Sequence, residues 1–135
     1  MTTPRLELRN LSKRFGNVIV ADGLDLTVSP NQALGIVGPN GAGKSSLFSM
    51  ISGDLDPDKG TVLLDGADVT RKRADVRAAH GVGRTFQIPR PFEGLTVFEN
   101  VLVFATAAAG LRKDEANRLA ASSLERCGLG DLANQ

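Results

Sequence analysis

ALGIVGPNGAGKSSLFSMISG, residues Ala33 to Gly53, changes character twice in a short space. Ala33–Val37 is almost wholly apolar, the composition of a strand buried on both faces of a sheet. From Gly43 the spacing becomes helical, with Leu47, Phe48, Met50 and Ile51 on a broad apolar face and Gly53 as the stop. Between strand and helix lies GPNGAGKS, in which Gly38, Gly43, Lys44 and Ser45 satisfy the pattern G-x-x-x-x-G-K-[ST]. Chance alone places that pattern in about one chain of this length in two hundred, and the flanking strand and helix make a decorative turn rarer still. The residue types fit one chemistry. Glycines at 38, 41 and 43 permit positive φ, letting the backbone curl until successive N–H groups form a nest for an anion. The helix start adds its positive dipole end. Lys44 is expected across the β and γ phosphates of a nucleotide, the Ser45 hydroxyl on Mg²⁺, and the Ser46 hydroxyl on the next phosphate inward. Phosphate contacts are expected over Asn40, Gly41, Ala42, Gly43, Lys44, Ser45 and Ser46.

The rest of the composition narrows the setting. A chain of 135 residues suits one domain burying about 68% of its unfolded surface. Sixteen Lys plus Arg against fifteen Asp plus Glu leave a formal charge of +1, so there is no broad field to draw nucleic acid or an anionic membrane, and phosphate needs a local trap. The single cysteine, Cys127, cannot form an internal disulfide, and MTTPRLELRN has no secretory apolar core; both suggest a reducing, cytoplasmic compartment. VLVFATAAAG falls short of the roughly twenty apolar residues that span a bilayer, so membrane association is expected only through a partner.

Along the chain, RLELRNL and NVIVADGLDLTV read as two strands of a hairpin, with turn signals at Phe15-Gly16-Asn17 and Ser29-Pro30-Asn31. DLDPDKG reads as a turn, TVLLDG as a strand ending in an Asp-Gly turn, Arg73–His80 as a polar helix, and VGRTF (82–86) as another short strand. After the proline-rich QIPRPFEG the chain reads as helical to its end. Thr96 and Glu99 have the spacing of a capping box. Ala116, Leu119, Ala120, Ser123, Leu124 and Cys127 share one face of a last helix that Gly128 terminates. The expected division is a mixed α/β core over residues 1–90 and an all-helical part over 91–135.

Several features have plainer readings. Asp54, Asp56, Asp58 and Asp65 imitate a calcium loop, but Lys59 stands where glycine is required and the last ligand is not Glu, so a solvated turn is expected. Arg71, Lys72, Arg73 and Arg77 read as a solvated face. His80, at a helix end before Gly81, reads as a dipole-complementing cap, and Cys127 as inert packing.

A phosphate loop by itself does not distinguish GTPases, kinases and transport ATPases. The guanine-reading tetrad N-K-x-D is absent, and neither a lid nor the substrate-binding acids of a compact kinase can be found. LSKRFGNVIVADGLDLTV, with Phe15 shortly before the loop, and VGRTFQ, with Gln87 after it, together resemble the nucleotide-binding subunit of an ABC transporter. VGRTFQIPRPFEGLTVFENVLV is most similar to the ATP-binding subunits of bacterial branched-chain amino-acid importers, and the resemblance covers essentially the whole chain. It implies an α/β P-loop NTPase of the ABC ATPase type, with an N-terminal antiparallel β region and the start of a helical subdomain, truncated. It further implies that Phe15 stacks on adenine, that Gln87 touches Mg²⁺ and the attacking water, and that Lys44 and Gln87 carry the catalytic roles. The implied cofactors are ATP and Mg²⁺. The implied partners are a second ATP-binding subunit, identical or not, and transmembrane permease subunits that hold the protein on the inner face of the cell membrane.

In that family an L-S-G-G-Q signature, an acidic motif of four apolar residues followed by Asp-Glu, and a switch histidine come later, whereas this sequence ends at GLGDLANQ. The strands that flank the phosphate-loop strand in the family also lie beyond Gln135. Two readings follow: the ATP-binding subunit of an importer, whose first part gives only half of each ATP site, or a non-hydrolytic nucleotide-binding or association fragment.

Overall fold

Gly16 and Asn17 turn the chain between two long strands, β1 (Leu6–Phe15) and β2 (Val18–Val28), which pair antiparallel from Leu6↔Val28 to Phe15↔Val18. Gly16 takes φ +56, the positive value at the first turn position that matches strand twist in a two-residue hairpin. The other side of β1 pairs antiparallel with β3 (Lys59–Leu64), and β3 with the two-residue β4 (Ala67–Asp68), giving the order β2-β1-β3-β4. Asp65 and Gly66 between β3 and β4 both have positive φ, +49 and +81, as a type I′ turn requires and as the Asp-Gly signal predicts. Leu8, Leu11, Val62 and Leu64 are buried on the sheet.

The computed structural model describes residues 3–135, which divide after His80 into two compact units. In the first unit, helix α1 (Lys44–Ser52) buries Leu47 and Met50 and ends at Gly53, whose φ of +88 and N–H to the Ser49 carbonyl (3.0 Å) terminate it as the sequence predicts. Phe48 remains half exposed, so the buried face is narrower than the expected one. Helix α2 (Ala74–Ala79) closes the unit at His80, whose backbone N–H bonds the Val76 and Arg77 carbonyls.

In the second unit, α3 (Val97–Ala107) packs on α4 (Lys113–Arg126), with Ala105, Ala116, Ala120 and Leu124 buried. A 3₁₀ turn, Gly130–Leu132, follows Gly128 at φ +70. Thr96 and Glu99 form the expected capping box: Thr96 Oγ1 accepts from the Glu99 N–H (3.2 Å) while Glu99 Oε2 accepts from the Thr96 N–H (2.8 Å). The chain end supplies further acceptors to α3, with Val97 N–H on the Gln135 carbonyl and Phe98 N–H on that of Ala133.

Four expectations are corrected. Ala33–Val37 is not a strand, because no ladder hydrogen bond joins it to the β2-β1-β3-β4 sheet, and Val37 is 97% exposed. Val82–Phe86 likewise lacks a ladder. Both runs have strand composition, but a strand exists only where a neighbour completes its hydrogen bonds. Cys127 is exposed at the α4 end rather than packed. Arg77, read as part of a solvated face, is fully buried (0% exposed).

Candidate nucleotide-binding site

The loop between Val37 and α1 takes its shape from two glycines. Gly41 (φ +84) and Gly43 (φ +83) occupy the left-handed region. Gly38 does not; its need for a missing side chain is steric, since a Cβ there would stand 3.3 Å from the Ala42 Cβ and 4.0 Å from Lys44 Nζ. Gly43 is constrained twice, by its φ and by the Val20 backbone, because a Cβ would collide with the Val20 carbonyl oxygen. That contact seats the start of α1 on β2.

Gly43 is the N-cap of α1 and no side chain caps the helix. The first N–H groups of a helix have no intrahelical partners, so this end presents donors and a positive dipole to the loop. The Ala42 N–H is tied to the Pro39 carbonyl at 3.2 Å. Lys44 turns its ammonium back across the loop, donating to the carbonyls of Gly38 (2.5 Å) and Pro39 (2.7 Å). A cation held only by neutral carbonyls beside uncapped N–H groups is a site that a phosphate satisfies from both sides. Asn40 and Ser45 are exposed and Ser46 half-buried, leaving the two hydroxyls at the mouth of the helix.

Phe15 ends β1 with half its surface exposed and Lys13 Nζ 5.5 Å from its ring centroid. Lys13 is itself held by Asp58 at 2.9 Å, and the Asp58 carboxyl lies below its ordinary pKa through that bond and the Arg14 N–H. Val18, opposite Phe15, lies two residues from Val20, so the hairpin end and the start of α1 belong to one local arrangement. Gln87 belongs to the second unit, exposed in a bend next to Phe86, whose ring lies 4.6 Å from Arg84 Cζ and 5.6 Å from Arg90 Cζ. The first unit thus contains Phe15 together with Gly38, Asn40, Gly41, Ala42, Gly43, Lys44, Ser45 and Ser46, and the approach of Gly43 to Val20 joins β2 to the end of the loop.

Among the described residues no group of three or more His, Cys, Asp or Glu is placed to hold a metal ion. The oxygens of Ser45 and Gln87 suit a hard cation such as Mg²⁺, which commonly takes only one or two protein ligands and completes its shell with phosphate and water. Each is thus a donor of the kind that Mg²⁺ carried in with a nucleotide accepts, Ser45 in the first unit and Gln87 in the second.

Sequence reasoning missed Val20 and Arg77. Nothing local marks Val20, since its role comes from tertiary proximity. Arg77 carried a weak signal: unlike Arg71–Arg73 it lies among Ala74, Val76, Ala78 and Ala79. Its Nη1 donates to the carbonyls of Met50 (2.6 Å) and Ile51 (3.0 Å), Nη2 to Thr70 (2.9 Å) and Nε to Lys72 (2.8 Å). Burial lowers its pKa, opposed by the charges of Asp56, Asp54 and Asp68, and a guanidinium stays protonated regardless.

A family model described as ABC transporter matches residues 21–135. The chain belongs to the ABC transporter family. Among curated members, the high-affinity branched-chain amino acid transport ATP-binding protein BraF of Pseudomonas aeruginosa is 35% identical, and its counterpart LivG of Escherichia coli is 34% identical. Each match covers all of this chain and 58% of the relative, so this ABC chain spans little more than half the length of those proteins. A solved nucleotide-free ATP-binding cassette from an ABC transporter has a TM-score of 0.79 at 30% identity, covering 98% of this chain and 57% of its own. A solved ADP conformation of MJ1267, an ATP-binding cassette of an ABC transporter, scores 0.80 at 31% identity, covering 99% of this chain and 57% of its own. The α/β core with its antiparallel sheet is therefore that of an ABC ATPase cassette.

Proposed function

We propose that this chain is the nucleotide-gripping part of an ATP-binding subunit of an ABC importer for branched-chain amino acids, the solute named for the similar BraF and LivG proteins. The observation that carries the proposal is the uncapped start of α1, with Gly41 and Gly43 at positive φ and the Lys44 ammonium turned into the loop. Asn40–Ser46 would hold the phosphates, with Gly38 giving room for Lys44; Phe15 would offer its exposed face to adenine; Ser45 and Gln87 would hold Mg²⁺, which supplies charge neutralisation to the phosphates. Lys44 and Gln87 are the catalytic candidates. Residues 1–90 would form the nucleotide-binding core and 91–135 the start of a helical subdomain. No helix among the described residues is long and apolar enough to cross a membrane. The protein would be cytoplasmic, held on the inner face of the membrane by permease subunits and working with a second ATP-binding subunit. Positioning and electrostatics supply most phosphoryl-transfer catalysis, and no residue here has been assigned as the catalytic base.

Calorimetry with Mg-ATP, with phosphate release followed in the same sample, tests the reading. We expect binding without turnover, weakened about tenfold or more in Lys44→Ala, the scale of a lost charge-assisted contact. Affinity unchanged by Lys44→Ala would refute the site, and turnover would refute the half-site assignment. One observation favours the second reading, an association fragment: the apolar and unladdered Ala33–Val37.

A further inference from the structure

Helix α1 is pinned at both ends by a glycine in close contact. At its start Gly43 abuts the Val20 carbonyl, and at its end a Cβ built on Gly53 would stand 2.9 Å from Arg77 Nε and 3.1 Å from both Arg77 Cδ and the Ala74 nitrogen. Both glycines are left-handed, φ +83 and +88. The last carbonyls of a helix have no intrahelical donors. Here two of them, Met50 and Ile51, are taken by the Arg77 guanidinium, whose other nitrogens hold Thr70 and Lys72. A buried cation against the negative end of a helix dipole is favourable in charge as well as in hydrogen bonding. Thr70 is itself fixed to the sheet, its hydroxyl accepting from the Val62 N–H at 2.9 Å.

We infer that Arg77 is a positioning residue for the phosphate loop: by fastening the C-terminal end of α1 to the 70–72 segment, it fixes where the N-terminal end presents Gly41–Ser46. The inference rests on the nucleotide-binding reading above. With nine residues, α1 is about 14 Å long and stiff on that scale, so a tilt at Met50–Ile51 is transmitted to Lys44 and Ser45. Guanidinium geometry matters because four carbonyls from two segments are met by one planar fork. A lysine keeps the charge but cannot reach the same set.

The test uses the 135-residue chain with Arg77→Met, Arg77→Lys, Lys44→Ala and, as a control for general loosening, Leu64→Ala in the sheet core, outside the Val62–Thr70–Arg77 chain. Mg-ATP affinity and the amide resonances of Gly41–Ser46 are measured where each variant is folded, as judged by far-UV dichroism. Arg77→Met is expected to weaken Mg-ATP about tenfold and to move the loop resonances. Arg77→Lys should restore part of both, and Leu64→Ala should change neither. If Arg77→Met fails to fold, Arg77→Lys decides by the same two readouts against Leu64→Ala. Arg77 variants that lose stability yet keep wild-type affinity and loop resonances would overturn the inference, leaving Arg77 a structural fastener only. If the wild type itself does not bind, the nucleotide reading fails on its own account; the loop resonances then decide, shifted ones supporting the positioning role and unshifted ones refuting it.

Discussion

Gly41 and Gly43 have nearly the same φ, yet their surroundings differ enough to separate two causes of glycine dependence. An alanine at Gly41 meets nothing within 4 Å, so it pays only for the left-handed backbone, about 1 kcal/mol. At Gly43 the same backbone cost is joined by collision with the Val20 carbonyl, a rigid backbone atom. Gly43→Ala is therefore expected to cost at least about 3 kcal/mol, read as the difference in urea unfolding free energy, while Gly41→Ala stays near 1. Equal losses would mean the Val20 contact relaxes freely. The need for glycine at 43 was legible because the phosphate-loop pattern states it, and at 41 because an anion nest demands a positive φ that glycine supplies. The reason at 43 was not, because Val20 is remote in sequence. Arg77 was misread for a similar cause: the charge run 71–77 looks solvated until the orphan carbonyls of Met50 and Ile51 are brought against it.

At the scale of elements, what a few adjacent residues decide was legible. The Gly16 and Asp65-Gly66 turns, the Gly53 and Gly128 stops and the Thr96–Glu99 capping box each depend on contacts within about four residues. Ala33–Val37 and Val82–Phe86 were not legible, since a strand needs a partner that its own sequence does not name. The capping box permits a signed prediction. The Thr96 N–H, then the Thr96 hydroxyl, holds the Glu99 carboxyl below its ordinary value of 4.5. A depressed acid stabilises the fold above its unfolded pKa, and that contribution is lost as pH falls through the lower folded value. The stability difference between wild type and Glu99→Gln is thus expected to be constant near neutral pH and to shrink as pH drops below about 4.5. Comparing the two proteins removes Glu7, Asp58 and Asp68, whose carboxyls are also depressed and act with the same sign. A difference that does not change down to about pH 3 would contradict the carboxylate's role. Thr96→Ala, which removes the other half of the box, should cost about 1 kcal/mol at neutral pH.

For the molecule as a whole, the consequence lies in what the sheet leaves outside it. The order β2-β1-β3-β4 pairs β1 and β3 on both sides and leaves β2 and β4 each with one ladder partner, while Ala33–Val37 has apolar composition and no ladder at all. Extended apolar backbone with free N–H and C=O groups recruits strands from other chains. An exposed apolar side chain on a helix does not, because its backbone is already satisfied; Phe104 on α3, 64% exposed, is such a case. The two sites therefore predict different behaviour. The 135-residue chain is expected to associate with rising concentration in sedimentation velocity, Val37→Lys to suppress this by placing a charge on the unladdered run, and Phe104→Lys to leave it largely intact. Suppression by Phe104→Lys alone would assign association to helix-face burial instead. A wild type that stays monomeric, with slow amide exchange across residues 33–37, would show that those groups find their partners within a single chain.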